Sequence, residues 1–186
     1  MSDNRFKDHL GRPIIAVTGM GVITSLGQGL QDNWAALTSG TSGIHKISRF
    51  PTEGLSTRIS GTVDFIDVPA DNAVERSYAF ARETTAEALA QAGVSGDFAG
   101  PLFLAAPPVE PEWSARFALA DRAPPSQVEG DAYDRFLAAM RDRPDPAFLE
   151  AVQFGSISER LSDKFGTRGL PVTLTTACAS GATAIQ

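Results

Sequence analysis

The sequence predicts an α/β protein with a mainly parallel sheet. Short apolar or β-branched runs alternate with longer stretches of helical periodicity, which gives the β-α-β-α-β order of such folds. Residues 14–18 and 102–105 are almost entirely apolar, as expected of strands covered on both faces of a sheet. A third run, residues 172–176, follows Gly169 and Pro171, which are typical of the turn before a strand.

Helices are predicted between the first two strands. Asp32 or Asn33 can cap a helix that ends at Gly40. Apolar or small side chains then recur at intervals of four and three residues over residues 74–92, so one face of this second helix is expected to be buried. Gly93 is positioned to end it.

The segment before the last strand is less regular. Residues 107–125 are rich in proline and charge and predict a loop with a short helix around residues 113–120. Residues 148–165 predict a helical segment that is interrupted near Gly155 and ends at Gly166.

Composition excludes several classes of function. No apolar run approaches the roughly 18 residues of a membrane span, and residues 1–12 lack the apolar core of a secretory signal, so we expect a cytoplasmic protein without a membrane partner. The net charge of -6 argues against non-specific binding of nucleic acid. One cysteine and two scattered histidines offer no metal-ligand spacing, and we expect neither a metal nor a cofactor.

Gly19-Met20-Gly21 follows the first predicted strand and invites a dinucleotide-binding interpretation. That fingerprint requires a third glycine where this chain has Thr24. A tight glycine turn is therefore favoured over a nucleotide site.

The only cysteine, Cys178, lies between the last predicted strand and a small-residue segment that is predicted to open a helix. A free cysteine is often a buried, inert residue. At a helix N-terminus, however, unpaired backbone N–H groups favour the thiolate and can also bind an oxyanion. Small neighbours such as Ala179 and Gly181 leave the sulfur unshielded. This sharp strand-to-helix turn predicts an exposed nucleophile.

The chain resembles the N-terminal half of a β-ketoacyl-[acyl-carrier-protein] synthase, the elongating condensing enzyme of the thiolase superfamily. The resemblance rests on residues 14–27 (Ile-Ile-Ala-Val-Thr-Gly-Met-Gly-Val-Ile-Thr-Ser-Leu-Gly) with the following Gly-Thr-Ser-Gly-Ile of residues 40–44. It also rests on residues 165–171, which lead into Thr-Ala-Cys-Ala-Ser-Gly at 176–181, and more loosely on the helix over residues 76–93.

The resemblance implies a thiolase-like αβαβα layered sandwich, of which residues 13–186 are the first half, ending inside the nucleophile helix, behind a polar extension of residues 1–12. It implies acylation of Cys178, whose backbone N–H contributes to an oxyanion hole, followed by decarboxylative Claisen condensation with malonyl-acyl-carrier protein in fatty-acid or polyketide elongation. The implied partners are acyl-carrier protein, a second copy in a homodimer, and a C-terminal half that carries two histidines and a lysine. Residues 1–186 alone are expected to be inactive.

Two further positions are assigned by resemblance to an acyl pocket: Val109, near the loop that reaches across the dimer, and Phe148, thirty residues before the cysteine. The family's glycine-rich turn is replaced here by Ala-Ala-Pro-Pro at residues 105–108. The basic carrier-docking segment is reduced to Arg76 beside Glu75.

His9 and His45 are interpreted as surface residues without a catalytic role. Two other functions stay open. A non-catalytic chain-length-factor-like subunit shares this fold but typically lacks the cysteine. A thiolase would use the same nucleophile with coenzyme A as carrier, and a second cysteine beyond Gln186 would indicate it.

Overall fold

The computed structural model describes residues 6–69, 72–108 and 110–186. Within them, six short strands and seven helices follow in the order β1 (Ile23–Thr24), β2 (Gly27–Gln28), α1 (Gly29–Ser39), β3 (His45–Lys46), β4 (Ile59–Ser60), α2 (Ala73–Gln91), β5 (Phe103–Ala105), α3 (Trp113–Ala120), α4 (Ala132–Asp142), α5 (Pro146–Ala151), α6 (Ser156–Phe165), β6 (Val172–Leu174) and α7 (Ser180–Ile185).

The parallel pairing predicted from the sequence is found between β5 and β6. Phe103 pairs with Val172 and Ala105 with Leu174, and α7 packs against both strands. The other two pairs, β1 with β2 and β3 with β4, are antiparallel and two residues long. The pair β5–β6 therefore provides the platform from which the chain runs into Cys178.

The predicted strand at residues 14–18 is wrong for this structure. Among the described residues no strand pairs with it, and the Ile14 N–H donates to the Phe6 carbonyl at 2.9 Å. Its side chains are exposed, Ile15 by 90% and Val17 by 78%. An apolar composition favours a strand only where a neighbouring strand can satisfy its backbone groups.

Helix α2 organises the rest of the fold. Asn72 caps it by accepting from the Glu75 N–H at 3.0 Å, and Gly93 follows its end with a φ of 72°, as predicted. Its buried face, represented by Ala79, packs on α6, whose Leu161 is fully buried. The Thr173 hydroxyl of β6 donates to the Ser158 hydroxyl of α6 at 2.7 Å, which links the β5–β6 pair to this interior.

The segment before β1 packs against α2 through hydrogen bonds from its backbone to side chains of α2 and through two glycines that lie close to the α2 backbone. A Cβ at Gly19 would lie 1.9 Å from the Ala88 carbonyl oxygen, and one at Gly21 would lie 2.0 Å from that of Thr84. Neither glycine has a positive φ. The pair therefore serves helix packing, and the predicted tight turn is replaced by a close backbone approach.

The start of α1 also differs from the prediction. The helix begins at Gly29, with Gln28 at its N-cap and no cap from its own side chain, and Asp32 lies in its first turn. The Asn33 amide instead donates to the carbonyls of Gly27 and Gly29 at 2.9 and 2.8 Å. The missing cap is supplied by Glu87 of α2, which accepts from the Leu30 N–H at 2.8 Å.

The segment between β5 and β6 contains four helices. The predicted short helix is α3, and the predicted break near Gly155 separates α5 from α6, which ends at Gly166 with a φ of 61°. Helix α4 was not predicted. Its signal is a capping box in which Asp131 and Asp134 accept from each other's backbone N–H.

Candidate active site

Cys178 lies in a turn between β6 and α7. Strand β6 ends at Leu174 and α7 begins at Ser180, so the cysteine lies two residues before the helix. The sequence had predicted that Cys178 is the first residue of this helix. Its side chain is exposed and makes no disulfide. The structure therefore confirms the strand-turn-helix placement of the thiol and corrects the start of the helix.

The turn is held in an unusual backbone conformation. Ala177 has a φ of 51°, the one positive φ of a non-glycine residue among those described. Side chains with a Cβ rarely adopt this left-handed conformation, and such outliers cluster at functional sites. The Ser180 hydroxyl bridges the turn: it accepts from the Thr176 N–H at 2.8 Å and donates to the Ala177 carbonyl at 2.7 Å.

Cys178 faces an open groove of ≈ 680 Å³ between the turn and the loop after β5. The opposite wall is formed by Ala105, Ala106, Pro107 and Pro108, the segment that replaces a glycine-rich turn. Two consecutive prolines supply no backbone N–H, so this wall is apolar and stiff. The groove can take an apolar chain attached to the sulfur.

Of the two predicted pocket residues, the structure describes Phe148 and does not place it in this groove. Phe148 lines a separate cavity between α2, α3 and α5, where its ring meets that of Phe136 edge-on at 6.0 Å. Its backbone N–H donates to the N-cap residue Asp145 at 3.1 Å. Val109 lies outside the described residues. Both acyl-pocket assignments stay predictions.

The two histidines lie on the surface, as predicted. His9 is exposed in the N-terminal segment, and His45 is exposed on β3. The Nε2 of His45 lies 2.8 Å from Thr62 Oγ1 and 3.1 Å from Asp64 Oδ2, and its Nδ1 lies 3.1 Å from the Gly43 carbonyl. A triad needs the carboxylate and the hydroxyl on opposite ring nitrogens.

The His45 side chain therefore connects β3 by hydrogen bonds to the segment after β4. Burial alone would raise the pKa of Asp64, but hydrogen bonds from Thr62, His45 and Ser48 outweigh burial and lower that pKa below its ordinary value. The carboxylate is thereby kept charged as an acceptor for these three donors. Neither histidine lines the Cys178 groove.

Arg76 and Glu75, the remnant of the predicted docking segment, are both bound to other groups of the chain: Arg76 is buried, and Glu75 is partly exposed. Arg76 is 7% exposed, donates to the Val63 carbonyl and lies 5.5 Å from the Phe80 ring centre. Burial lowers the pKa of this guanidinium. Glu75 is bound in bidentate fashion by Arg160 at 2.7 and 2.8 Å.

No metal centre or membrane span is found in the part of the chain that the structure describes. Its histidine, cysteine and acidic residues form no group of three or more that could hold a metal ion. None of its helices combines the length and the apolar character needed to cross a bilayer.

The model of the β-ketoacyl synthase N-terminal domain matches residues 13–101 and 126–186. This chain belongs to the β-ketoacyl synthase family. A 3-oxoacyl-[acyl-carrier-protein] synthase 2 of Coxiella burnetii is 25% identical in an alignment of 178 positions that covers 90% of this chain and 39% of that protein. The chain thus spans about two fifths of the length of this relative.

Two solved structures share the fold with this β-ketoacyl synthase chain. One is the ishigamide ketosynthase/chain length factor, with a TM-score of 0.57 and 24% identity over 84% of this chain and 39% of the other. The second is a type II polyketide-synthase acyl-carrier protein in complex with its ketosynthase bound to the hexaketide. Its TM-score is 0.61, with 21% identity over 91% of this chain and 39% of the other. The mixed α/β chain is thus a partial thiolase-like fold, as the sequence predicted.

Two residues of the candidate site and its supporting framework, Ser180 and Glu87, were not found from the sequence. Ser180 carries a local signal, because a hydroxyl four residues after Thr176 can cap a turn that leads into a helix. Glu87 carries none, since it acts on residues 57 and 65 positions away in the sequence.

Proposed function

We propose that the protein transfers an acyl group from a carrier-protein thioester to Cys178 and condenses it with a malonyl thioester, with loss of carbon dioxide. The observation that carries the proposal is the exposed thiol in the left-handed turn, facing an apolar groove of ≈ 680 Å³. Splitting the transfer through a covalent intermediate lowers each barrier.

In the first step, Cys178 Sγ bonds to the acyl carbonyl carbon, the bond from that carbon to the carrier sulfur breaks, and the carrier thiol leaves with a proton. The Cys178 N–H is proposed as one donor to the oxyanion, a contact commonly worth about 3 kcal/mol. In the second step, the carbanion from the malonyl thioester attacks the acyl carbon, and the Cys178 sulfur is released.

We propose that the groups which generate the carbanion lie outside residues 1–186. The chain has two histidines, and neither lines the groove. Residues 1–186 alone should therefore release no carbon dioxide from malonyl carrier protein. Release of carbon dioxide by this chain without any partner would contradict this part of the proposal.

The carrier is proposed to be an acyl-carrier protein, because the relative in Coxiella is named as acting with one and the second solved structure contains one. We also propose that the protein forms a homodimer and lies in the cytoplasm. The proposed homodimer rests on the apolar strand before Cys178, Val172 of which is 40% exposed. A protein that sediments as a monomer at every concentration would contradict the dimer.

The proposal is tested by intact-mass measurement after incubation with an acyl thioester of carrier protein. Cys178 is the one thiol of the chain, so the expected mass increase of one acyl group reads one site. The Cys178→Ala variant should gain no acyl group. Equal labelling of that variant would refute the assignment.

A non-catalytic, chain-length-factor-like role is the second candidate. It is favoured by the segment of residues 102–125, which the family model leaves unmatched and which contains the proline wall of the groove. A subunit of this kind would leave Cys178 unlabelled by carrier thioesters. Labelling by acyl-coenzyme A alone, without carrier protein, would instead support a thiolase-type reaction.

A further inference from the structure

We infer that Ser180 is a positioning residue that aims the backbone N–H of Cys178 at the oxyanion. The inference rests on the proposed function, because it assumes that Cys178 is the acyl acceptor. Ser180 lines the groove beside Cys178 but does not itself carry the acyl group. The hydroxyl acts through the peptide bond that joins Ala177 to Cys178.

That peptide bond carries two groups of interest on one plane. The Ala177 carbonyl and the Cys178 N–H belong to the same trans peptide, so fixing the direction of one fixes the direction of the other. The Ser180 hydroxyl donates to the Ala177 carbonyl at 2.7 Å. It therefore fixes the direction of the N–H that is proposed to stabilise the oxyanion.

The same Ser180 hydroxyl makes a second hydrogen bond, to the residue that precedes Ala177. Ser180 Oγ accepts from the Thr176 N–H at 2.8 Å, so its two bonds lie on either side of the backbone dihedrals of Ala177. Those dihedrals are the left-handed ones, which a residue with a Cβ does not keep without support.

Packing cannot replace this hydroxyl. Residues 176–179 are all exposed, and the Thr176 hydroxyl meets the Thr183 hydroxyl of α7 only at 3.2 Å, which is long for a bond between hydroxyls, so side-chain contacts confine the turn weakly. The remaining bonds across it are weaker in geometry, with the Ala179 N–H at 3.2 Å from the Thr176 carbonyl and the Ser180 N–H at 3.2 Å from the Ala177 carbonyl.

The experiment compares two reactions of the same sulfur. Acyl transfer builds negative charge on the carbonyl oxygen and needs the N–H donor, whereas alkylation by iodoacetamide builds no oxyanion. Ser180→Val should slow single-turnover acylation of Cys178 by about tenfold to a hundredfold, with half-saturation by the carrier thioester unchanged. Alkylation should stay within about threefold of the unmodified protein, because no donor is required.

Ser180→Thr is the matched control, since threonine has the shape of valine but keeps the hydroxyl, and it should restore acylation. Thr38→Val removes a hydroxyl of α1 that donates to the Trp34 carbonyl at 2.8 Å, away from the turn, and should leave both reactions unchanged. All variants are made in the complete protein.

Normal acylation of Ser180→Val would overturn the inference and leave the proposed function standing. Equal loss of acylation and alkylation would also overturn it, because the hydroxyl would then serve only to fold the turn. Equal impairment of the threonine and valine variants would do the same. If the unmodified protein is not acylated at all, the proposed function fails and the inference fails with it.

Discussion

Removal of the Glu87 carboxylate should loosen the N-terminal segment more than any comparable surface change on α2. Its two oxygens accept from the Val22 N–H at 2.9 Å and from the Leu30 N–H at 2.8 Å. A hydrogen bond to a charged group contributes about 1.5–3 kcal/mol, and Glu87 is half-buried, so the lower part of that range applies to each bond. Glu87→Ala should therefore reduce the free energy of unfolding by about 3–4 kcal/mol.

The assay is urea unfolding followed by circular dichroism, with hydrogen exchange of the Val22 and Leu30 amides as a local readout. Glu83→Ala is the matched control, because Glu83 lies one turn earlier on α2 and pairs with Arg82 at the surface. It should cost less than about 1 kcal/mol. Equal midpoints for the two variants, or unchanged protection of the Leu30 amide in Glu87→Ala, would show that α1 does not depend on this cap.

Two further predictions concern the same framework. Gly21→Ala should lower the free energy of unfolding in urea by about 1–3 kcal/mol, because its Cβ would lie 2.0 Å from the Thr84 carbonyl oxygen. Gly155→Ala is the control and should change that free energy little, since its Cβ has no contact closer than 3.5 Å. Equal losses of stability in the two variants would contradict the packing role of Gly21. The hydrogen bond from Arg160 lowers the pKa of Glu75 below 4.5, so this pair stabilises the fold above that pH and loses its effect as the pH falls through the lowered pKa. Glu75→Gln should be less stable than the unmodified protein at neutral pH, by less than about 1 kcal/mol, because both side chains of the pair are over a third exposed. The difference in stability should vanish in acid. A difference that persists in acid would contradict the linkage between this pair and pH.

Elements specified by local chemistry could be predicted from the sequence. The ends of α2 and α6 follow from Gly93 and Gly166, whose φ values of 72° and 61° suit glycine. The strand before Cys178 follows from a β-branched run bounded by glycine and proline. In each case the signal and the structure lie within a few residues of each other.

Elements that depend on distant partners could not be predicted. The cap of α1 comes from Glu87, 57 residues beyond Leu30, so a search for a cap near Asp32 could not find it. The apolar run at residues 14–18 meets every local criterion for a strand, yet a strand exists only where a second strand accepts its hydrogen bonds. Local patterns report what a segment can form, and long-range contacts decide whether it does.

The position of Cys178 shows how a small difference in a boundary changes the chemistry. The sequence indicated that helix N–H groups would surround the sulfur, which requires the cysteine to open the helix. Because α7 starts at Ser180, the groups next to the sulfur belong to the turn over residues 176–179. The direction of its N–H donor is then set by the Ala177 backbone and the Ser180 hydroxyl, and not by the length of α7. Under the proposed function, acylation of Cys178 thus depends on one hydroxyl and one left-handed residue, both of which point mutation can change without altering the cysteine.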